Sequence, residues 1–244
     1  MQKSFTGFIF CLFMIVSACA SLAFAQDAAI TEENSAAVEK TAVPQKKEDS
    51  DASDKKNELT MWAAFAPDMP TPFGGARESS FFAEAGLRYT RVLASNDFLA
   101  LKYTVDLIPV AVINYERELF IQTGATIVRE TPSTTAYAFG VTPVGFQLNF
   151  RSKKKIQPFI SANAGLLIFN KTIPDDRSPL FPNRNGKKLN YTLAGGGGLE
   201  YVTDSGRSYI FGFKFHHISN ASTGTINPGF DQNLFWFGYT FKKW

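Results

Sequence analysis

The sequence predicts an all-β protein, an eight-stranded antiparallel β-barrel of the outer membrane. Three observations support this prediction: an N-terminal export signal, segments in which apolar and polar residues alternate, and connections that are alternately short and long. The chain has 244 residues, of which 24 are Phe and 2 are Cys, and its formal net charge is +3. After the signal, no stretch reaches the roughly 18 consecutive apolar residues of a transmembrane helix. Closed barrels of strands are the other way to cross a membrane.

The first 25 residues are typical of a cleaved export signal. Lys3 supplies the positive charge, residues 5–16 form the apolar core, and Ala23-Phe24-Ala25 is an A-x-A-like cleavage site. Cleavage ahead of Cys19, which would then carry a lipid, stays open as an alternative. Both cysteines lie within the signal, so a chain cleaved after Ala25 has no thiol for a disulfide or a zinc site.

Residues 26–58 differ in composition from the rest of the chain. They are rich in Ala, Glu, Asp, Lys and Ser and contain no aromatic residue. Such a segment buries too little apolar surface to offset its ordering entropy, so we predict a disordered periplasmic segment. Residues 59–244 then form one barrel domain. The small positive net charge gives no reason to expect a nucleic-acid partner.

Apolar residues at every second position indicate β-strands. In residues 99–107, Leu, Tyr and Val at the odd positions alternate with Lys, Thr and Asp at positions 102, 104 and 106. In residues 211–215, three Phe alternate with Gly and Lys. A soluble sandwich with its apolar face inward gives the same pattern as a barrel with its apolar face toward lipid. The alternation alone does not choose between them.

The connections favour the barrel. The predicted strands cover residues 59–66, 80–94, 98–111, 136–151, 156–169, 190–203, 208–219 and 232–243. The links after the second, fourth and sixth strands are tight, and the other links are longer and contain Pro, Gly and charged residues. Short turns at one end and long loops at the other are typical of outer-membrane barrels, with the short turns in the periplasm.

A barrel of this size has a lumen only wide enough for side chains. We therefore expect the charged residues on the inner face to pair with one another instead of lining a pore; these are Glu84, Arg88, Lys102, Asp106, Glu200 and Lys214. The run Gly195–Gly198 weakens the strand pattern and predicts a bulge or a close approach of backbones. It lacks the spacing of a nucleotide-binding loop.

The two histidines of the chain, His216 and His217, stand next to each other near the end of the seventh predicted strand. Because side chains alternate, His217 and Ser219 share the lipid-facing side and His216 faces the lumen. Asp231 is in phase with the lipid-facing aromatic residues of the eighth strand. These two strands form a hairpin, so we expect His217, Ser219 and Asp231 to meet on the outer wall at the long-loop end.

A serine becomes a nucleophile when an imidazole takes its proton and a carboxylate orients the imidazole. Donors must also stabilise the oxyanion, and the candidates are Asn220, Asn227 and backbone N–H groups near Gly229. Polar groups that face lipid are costly unless they pair, which favours a functional explanation. By spacing alone, an interfacial His-x-Ser followed by an ordinary turn explains these residues at least as well.

The residues HISN at 217–220, NPG at 227–229 and the acid at 231 resemble the C-terminal signature of the PagL-type lipid A 3-O-deacylases. The resemblance is specific over residues 208–244 and architectural elsewhere. It implies an eight-stranded outer-membrane barrel with a lipid-facing triad. The type members of that family have glutamate where this chain has Asp231.

Carried over by position, the resemblance implies that His217 is the base, Ser219 the nucleophile, Asp231 the orienting acid and Asn227 an oxyanion donor. The expected activity is removal of the 3-O-linked 3-hydroxyacyl chain of lipid A near the outer leaflet, with lipopolysaccharide as substrate and without a metal or cofactor. Four basic residues of the loop region are candidates for contacts with lipid A phosphates or are simply solvated; these are Arg177, Arg184, Lys187 and Lys188.

Two alternatives stay open. One is a non-enzymatic structural or adhesive barrel whose long loops carry the function, which the N-terminal segment and the aspartate at position 231 also fit. The other is a soluble periplasmic sandwich tethered through Cys19. The sequence does not fix the oligomeric state, and a homodimer is among the assemblies that it allows.

Overall fold

A computed structural model describes residues 56–67 and 79–244, so the predicted signal and nearly all of the predicted 26–58 segment lie outside the described residues. The described residues form ten β-strands. Their bounds are β1 (Asn57–Pro67), β2 (Ser79–Ser95), β3 (Leu99–Glu116), β4 (Leu119–Thr123), β5 (Thr126–Glu130), β6 (Ser133–Phe150), β7 (Ile156–Asp175), β8 (Asn185–Val202), β9 (Ser208–Ser219) and β10 (Phe230–Lys243).

Eight of these strands close into a barrel, in the order β1-β10-β9-β8-β7-β6-β3-β2. All neighbours pair antiparallel, and the first and last strands close the ring with Phe65 opposite Phe235. Closure leaves no unpaired strand edge, as a membrane interior requires. The predicted eight-stranded antiparallel barrel is confirmed.

Seven of the eight barrel strands are longer than predicted, β9 has the predicted bounds, and the sequence did not predict one hairpin. β3 continues to Glu116 and β7 to Asp175, where their pairing with β6 and β8 extends into the long-loop end. β4 and β5, which form a separate two-stranded sheet, were assigned to a loop because they are short and largely exposed. β1 begins at Asn57, two residues before the predicted barrel domain.

The outer face of the barrel is apolar, and most buried charged residues of the strands lie on its inner face. Met61, Leu107, Phe139 and Phe211 are each at least half exposed, whereas Glu84 and Lys102 are buried. An outward apolar band around a polar interior is the arrangement of a membrane barrel and the reverse of a soluble sandwich. In the part of the chain that the structure describes, no helix is long and apolar enough to cross a membrane.

The charged residues of the lumen form ion pairs, as predicted. Arg88 contacts Asp106 at 2.7 Å, and Lys214 contacts Glu84 at 2.9 Å. Lys102 lies 3.0 Å from a carboxylate oxygen of Glu200. Glu58, which the composition assigned to the N-terminal segment, also lies 3.0 Å from Lys102, so its charge belongs to the barrel interior. These pairs fill the lumen between β1, β3 and β8.

The loop end of the lumen is filled mainly by aromatic rings. Tyr115 and Phe230 meet edge to face with centroids 5.1 Å apart, and Phe82 lies 5.4 Å from the ring of His216. Above them, ion pairs connect the loops: Glu118 contacts both Arg129 and Arg184 at 2.7 Å. The run Gly195–Gly198 passes through β8 without a shift in its register to β9, so it has no bulge in that pairing. The alternative prediction, a close approach of backbones, is confirmed: a Cβ on Gly196 would lie 2.6 Å from the Cα of Lys214 in β9.

Candidate active site

β9 and β10 place His217 and Asp231 directly opposite each other in the antiparallel register. Nδ1 of His217 lies 2.5 Å from Oδ1 of Asp231. The aspartate side chain is therefore long enough to reach the ring. A carboxylate at Nδ1 fixes the ring orientation and makes Nε2 the nitrogen that can accept a proton.

The two adjacent histidines face opposite sides of the barrel wall. The His217 side chain is 24% exposed and the Asp231 side chain 9% exposed, on the membrane side. His216 is buried in the lumen, where it contacts Phe82 and lies opposite Gln232. The alternation of the strand thus separates an interior histidine from one that a membrane lipid can approach.

Ser219 is the last residue of β9 and lies two positions beyond His217, so both side chains are on the outer face. It is half-buried and opposite Tyr191 of β8. The chain then turns through Ala221 and Ser222, whose φ angles are 50° and 61°. Left-handed conformations of residues other than glycine are strained, and such strain is frequent beside functional sites.

The two predicted asparagines have different surroundings. Asn220 is buried, and its side chain is used within the loop: Nδ2 donates to the carbonyl of Ile226 at 2.9 Å, and Oδ1 accepts from the N–H of Gly224 at 3.2 Å. Asn227 is half-buried and accepts a hydrogen bond from the backbone N–H of Asn220 at 3.0 Å. Its Nδ2 has only a long contact, 3.4 Å, with Ser222 Oγ. Asn227 is therefore the better placed side-chain donor.

Gly229 is in the left-handed region, with φ 72°, and lies against the His217 ring. A Cβ at this position would be 2.8 Å from Cε1 of His217. Real Cβ atoms do not approach that closely, so the glycine leaves the space that the imidazole occupies. That the backbone N–H of Gly229 is an oxyanion donor stays a prediction. The sequence did not suggest its second role, which is to leave space for the His217 ring.

Two β8 residues beside the triad were missed in the sequence. Tyr191 lies opposite Ser219, and Leu193 lies opposite His217. Both belong to the outward-facing odd positions of β8, so the alternation could have identified them once β8 was known to pair with β9. Of the four predicted basic residues, Arg177 contacts Asp175 and Arg184 contacts Glu118, each at 2.7 Å, while Lys187 and Lys188 are exposed.

Within residues 56–67 and 79–244, no group of three or more His, Cys, Asp or Glu residues is placed to hold a metal ion.

Comparisons with known proteins connect this site to one family. A family model described as lipid A 3-O-deacylase (PagL) matches residues 84–240, from β2 to β10, and so includes all three candidate triad residues. A comparison with curated protein sequences gives no match.

Three solved structures illustrate what the chain is similar to. The crystal structure of the outer membrane enzyme PagL is 20% identical, with 75% of this chain and 99% of that chain covered and a TM-score of 0.48. The solid-state NMR structure of the outer membrane protein AlkL in DMPC bilayers is 9% identical, with coverage of 84% and 95% and a TM-score of 0.33. The β domain of the Bordetella autotransporter BrkA is 10% identical, with coverage of 77% and 99% and a TM-score of 0.28.

The match to the family model covers well over half of the chain and nearly the whole of the described barrel. It agrees with the outer-membrane location that the apolar outer face predicts. The chain belongs to the lipid A 3-O-deacylase (PagL) family.

Proposed function

We propose that this protein is a serine esterase that removes the 3-O-linked 3-hydroxyacyl chain of lipid A, with Ser219, His217 and Asp231 as its triad. The observation that carries the proposal is the 2.5 Å contact between His217 and Asp231 on the membrane-facing wall, two residues from Ser219. A buried carboxylate bound to a partly exposed imidazole is the arrangement that activates a serine hydroxyl.

In the first step, Ser219 Oγ attacks the carbonyl carbon of the ester at the 3-position. Its proton passes to Nε2 of His217, and the Asp231 carboxylate stabilises the imidazolium that results. Collapse of the tetrahedral intermediate breaks the bond between the carbonyl carbon and the lipid A 3-oxygen. The imidazolium gives its proton to that oxygen, which leaves as a hydroxyl group.

In the second step, water hydrolyses the acyl-enzyme. His217 takes a proton from the water, the hydroxide oxygen bonds to the acyl carbon, and the proton returns to Ser219 as the ester bond to Oγ breaks. The products are 3-O-deacylated lipid A and a free 3-hydroxy fatty acid. His217 ends the cycle in its starting protonation state.

Negative charge develops on the carbonyl oxygen in both steps and needs nearby donors. Asn227 is the side-chain donor that we assign, because its amide group is at the surface and its oxygen is already held by the N–H of Asn220. The side chain of Asn220 instead stabilises the loop through hydrogen bonds to its backbone. Removal of one such donor typically lowers kcat by about 10²- to 10³-fold.

The location of these groups suits a substrate that is itself a membrane lipid. The site lies at the loop end of the outer wall, which we place at the outer leaflet, where the acyl ester and the phosphates of lipid A are found. Exposed Lys187 and Lys188 lie at the start of β8, at the same end of the barrel, and can contact phosphate groups. All three triad residues come from one chain, so the proposed chemistry does not require a homodimer.

Expression of the protein in a bacterium with 3-O-acylated lipid A tests the proposal. Mass spectra of the lipid A are expected to show loss of one 3-hydroxyacyl chain with the wild-type protein and no change with Ser219→Ala. Ser205→Ala, in the turn at the opposite end, serves as the matched control. Deacylation by a folded Ser219→Ala protein would overturn the triad, and an unchanged spectrum with the wild-type protein would favour the non-enzymatic barrel.

A further inference from the structure

The loop between β9 and β10 lies on the beginning of β8, and hydrogen bonds hold it there. The backbone N–H groups of Thr225 and Ile226 both donate to the carbonyl of Asn185, at 2.9 and 3.2 Å. The N–H of Asn185 donates to Thr225 Oγ1 at 2.9 Å. The Thr225 hydroxyl has the carbonyls of Asn185, at 2.8 Å, and of Asn183 as acceptors. We refer to these contacts as the Asn185–Thr225 clamp.

Close packing of two backbones accompanies the clamp. A Cβ on Gly224 would lie 2.8 Å from the Cα of Gly186 in β8. Only residues without side chains allow this approach, so the loop lies flat against the strand instead of extending away from the barrel. The hydroxyl of Thr225 is therefore part of a contact between two segments that are far apart in the sequence.

The clamp is connected to the candidate site by a short series of hydrogen bonds. The carbonyl of Ile226, next to Thr225, accepts a hydrogen bond from Asn220 Nδ2 at 2.9 Å. Oδ1 of Asn227 accepts from the backbone N–H of Asn220 at 3.0 Å. Asn220 directly follows Ser219. Residues 225–227 are thus fixed to β8 on one side and to the residue after the nucleophile on the other.

The loop that the clamp attaches to β8 contains a strained turn. Ala221 and Ser222 both have positive φ, and a conformation of this kind persists only when its surroundings over-determine it. Without the Thr225 hydroxyl, the loop keeps the Asn220 contacts but loses part of its attachment to β8. A shift of about 1 Å in a catalytic group lowers the rate by up to about 100-fold.

We propose that Thr225 and Asn185 are positioning residues, which hold Asn227 where it stabilises the oxyanion formed at Ser219. The inference rests on the proposed esterase function and adds to it a β8 anchor for the oxyanion loop. Because the oxyanion exists only in the transition state and the intermediate, a displaced Asn227 lowers kcat and leaves substrate binding nearly unchanged.

The test compares Thr225→Val, which removes the hydroxyl at nearly constant shape, with Thr225→Ser, which retains it. With purified protein and lipid A in mixed micelles, Thr225→Val is expected to lower kcat by about 10- to 100-fold at nearly constant KM, and Thr225→Ser to restore most of the rate. Asn185→Ala removes Oδ1 of Asn185, which lies 3.1 Å from Thr225 Oγ1, leaves the backbone contacts in place and is expected to have a smaller effect. Thr203→Val is the matched control, since Thr203 Oγ1 also donates to a backbone carbonyl, that of Arg207 at 2.9 Å, in a turn at the opposite end.

A double-mutant cycle separates positioning from general destabilisation. If Thr225 acts through Asn227, then Thr225→Val is expected to add little to the loss that Asn227→Ala already causes. Full additivity, a wild-type kcat in Thr225→Val, a rise in KM alone, or failure of serine to restore the rate would each overturn the clamp. Should the valine variant not fold, Thr225→Ala and Thr225→Ser give the same comparison.

A parallel measurement on Ser219→Ala distinguishes a failure of the clamp from a failure of the proposed esterase function. An inactive Ser219→Ala protein together with a fully active Thr225→Val protein would remove only the clamp. An active Ser219→Ala protein would remove the proposed function on which the clamp rests.

Discussion

The inner and outer faces of this barrel both contain buried ionisable groups, but the two sets differ in what surrounds them. In the lumen, Lys102 lies between Glu58 and Glu200, and Glu200 also accepts hydrogen bonds from Asn149 and Ser208. On the outer wall, Asp231 is covered by the ring of His217, and that ring is partly exposed toward the membrane.

This difference separates the charges that only fill the lumen from the pair that we propose to be reactive. The lumen groups have partners on several sides, so they fill space and satisfy one another. The outer pair has a carboxylate on one side of the imidazole and a surface accessible to lipid on the other. Both sets of groups are buried and ionisable, but a second molecule can approach only the outer pair.

The largest expected effect comes from substituting the two adjacent histidines one at a time. His217→Gln is expected to lower kcat by about 10⁴-fold or more, which corresponds to about 5.5 kcal/mol in the activation free energy. His216→Gln changes a lumen residue that does not contact the outer wall, so the folded protein is expected to retain most of its activity. Deacylation rates per folded molecule check both; equal losses would contradict the assignment of the two faces.

Substitution of Asp231 is the next test of the difference between the outer and inner faces. Asp231→Asn retains the shape but stabilises the wrong tautomer of His217, and we expect kcat to fall by about 10³- to 10⁴-fold. Asp231→Glu keeps the charge on a longer side chain, so a much smaller change is expected. A rate for Asp231→Asn close to that of the wild-type protein would show that the 2.5 Å contact has no catalytic role.

Inside the lumen, a substitution is expected to affect stability and not chemistry. Lys102→Met removes the more buried of the two cations that Glu58 and Glu200 share, and Lys243 stays 3.0 Å from Glu58 and 3.5 Å from Glu200. The loss of stability is therefore expected to be smaller than the about 3–5 kcal/mol that a buried pair costs when its sole partner is removed. Urea unfolding in lipid vesicles measures the loss. The rate of deacylation per folded molecule is expected to stay the same, and a rate that fell together with stability would link the lumen to the site.

The smallest effect is expected for an ion pair at the surface. Asp204 accepts a hydrogen bond from Lys155 in the turns at the periplasmic end, which raises the pKa of that ammonium above its usual value of 10.5. Because folding raises this pKa, the pair contributes stability at neutral pH and loses it as the pH rises through the pKa of the folded state. Asp204→Asn is expected to return the pKa to about 10.5, as NMR titration of Lys155 can measure. The urea midpoint at pH 7 is expected to change little, because both side chains are largely exposed.

The parts of the molecule that the sequence predicts are those determined by local patterns. The faces of β9 and β10 follow from period-2 alternation, and a hairpin brings His217 and Asp231 opposite each other through neighbouring strands. The triad was therefore accessible from residues close in the chain. The β4–β5 hairpin was not, because its strands have only five residues each, too few for a clear alternation, and ion pairs such as Glu118 with Arg129 contribute to its packing.

The support of the site depends on contacts that no local pattern contains. The Asn185–Thr225 clamp joins positions 40 residues apart, and Gly224 meets Gly186 only because β8 and β9 are neighbours in the closed barrel. Likewise, Gly229 appears in the sequence as an ordinary turn residue, and its space for the His217 ring depends on the register of β9 with β10.

The filled lumen also determines how this protein meets its substrate. Glu200 and its partners occupy the interior, so the proposed active site on the outer wall is reached from outside the barrel and not through the lumen. Encounter is then a search in two dimensions, and its rate depends on the surface density of lipid A in the leaflet. Dilution of that lipid with inert lipid or detergent slows the reaction even when its total amount in the sample is constant.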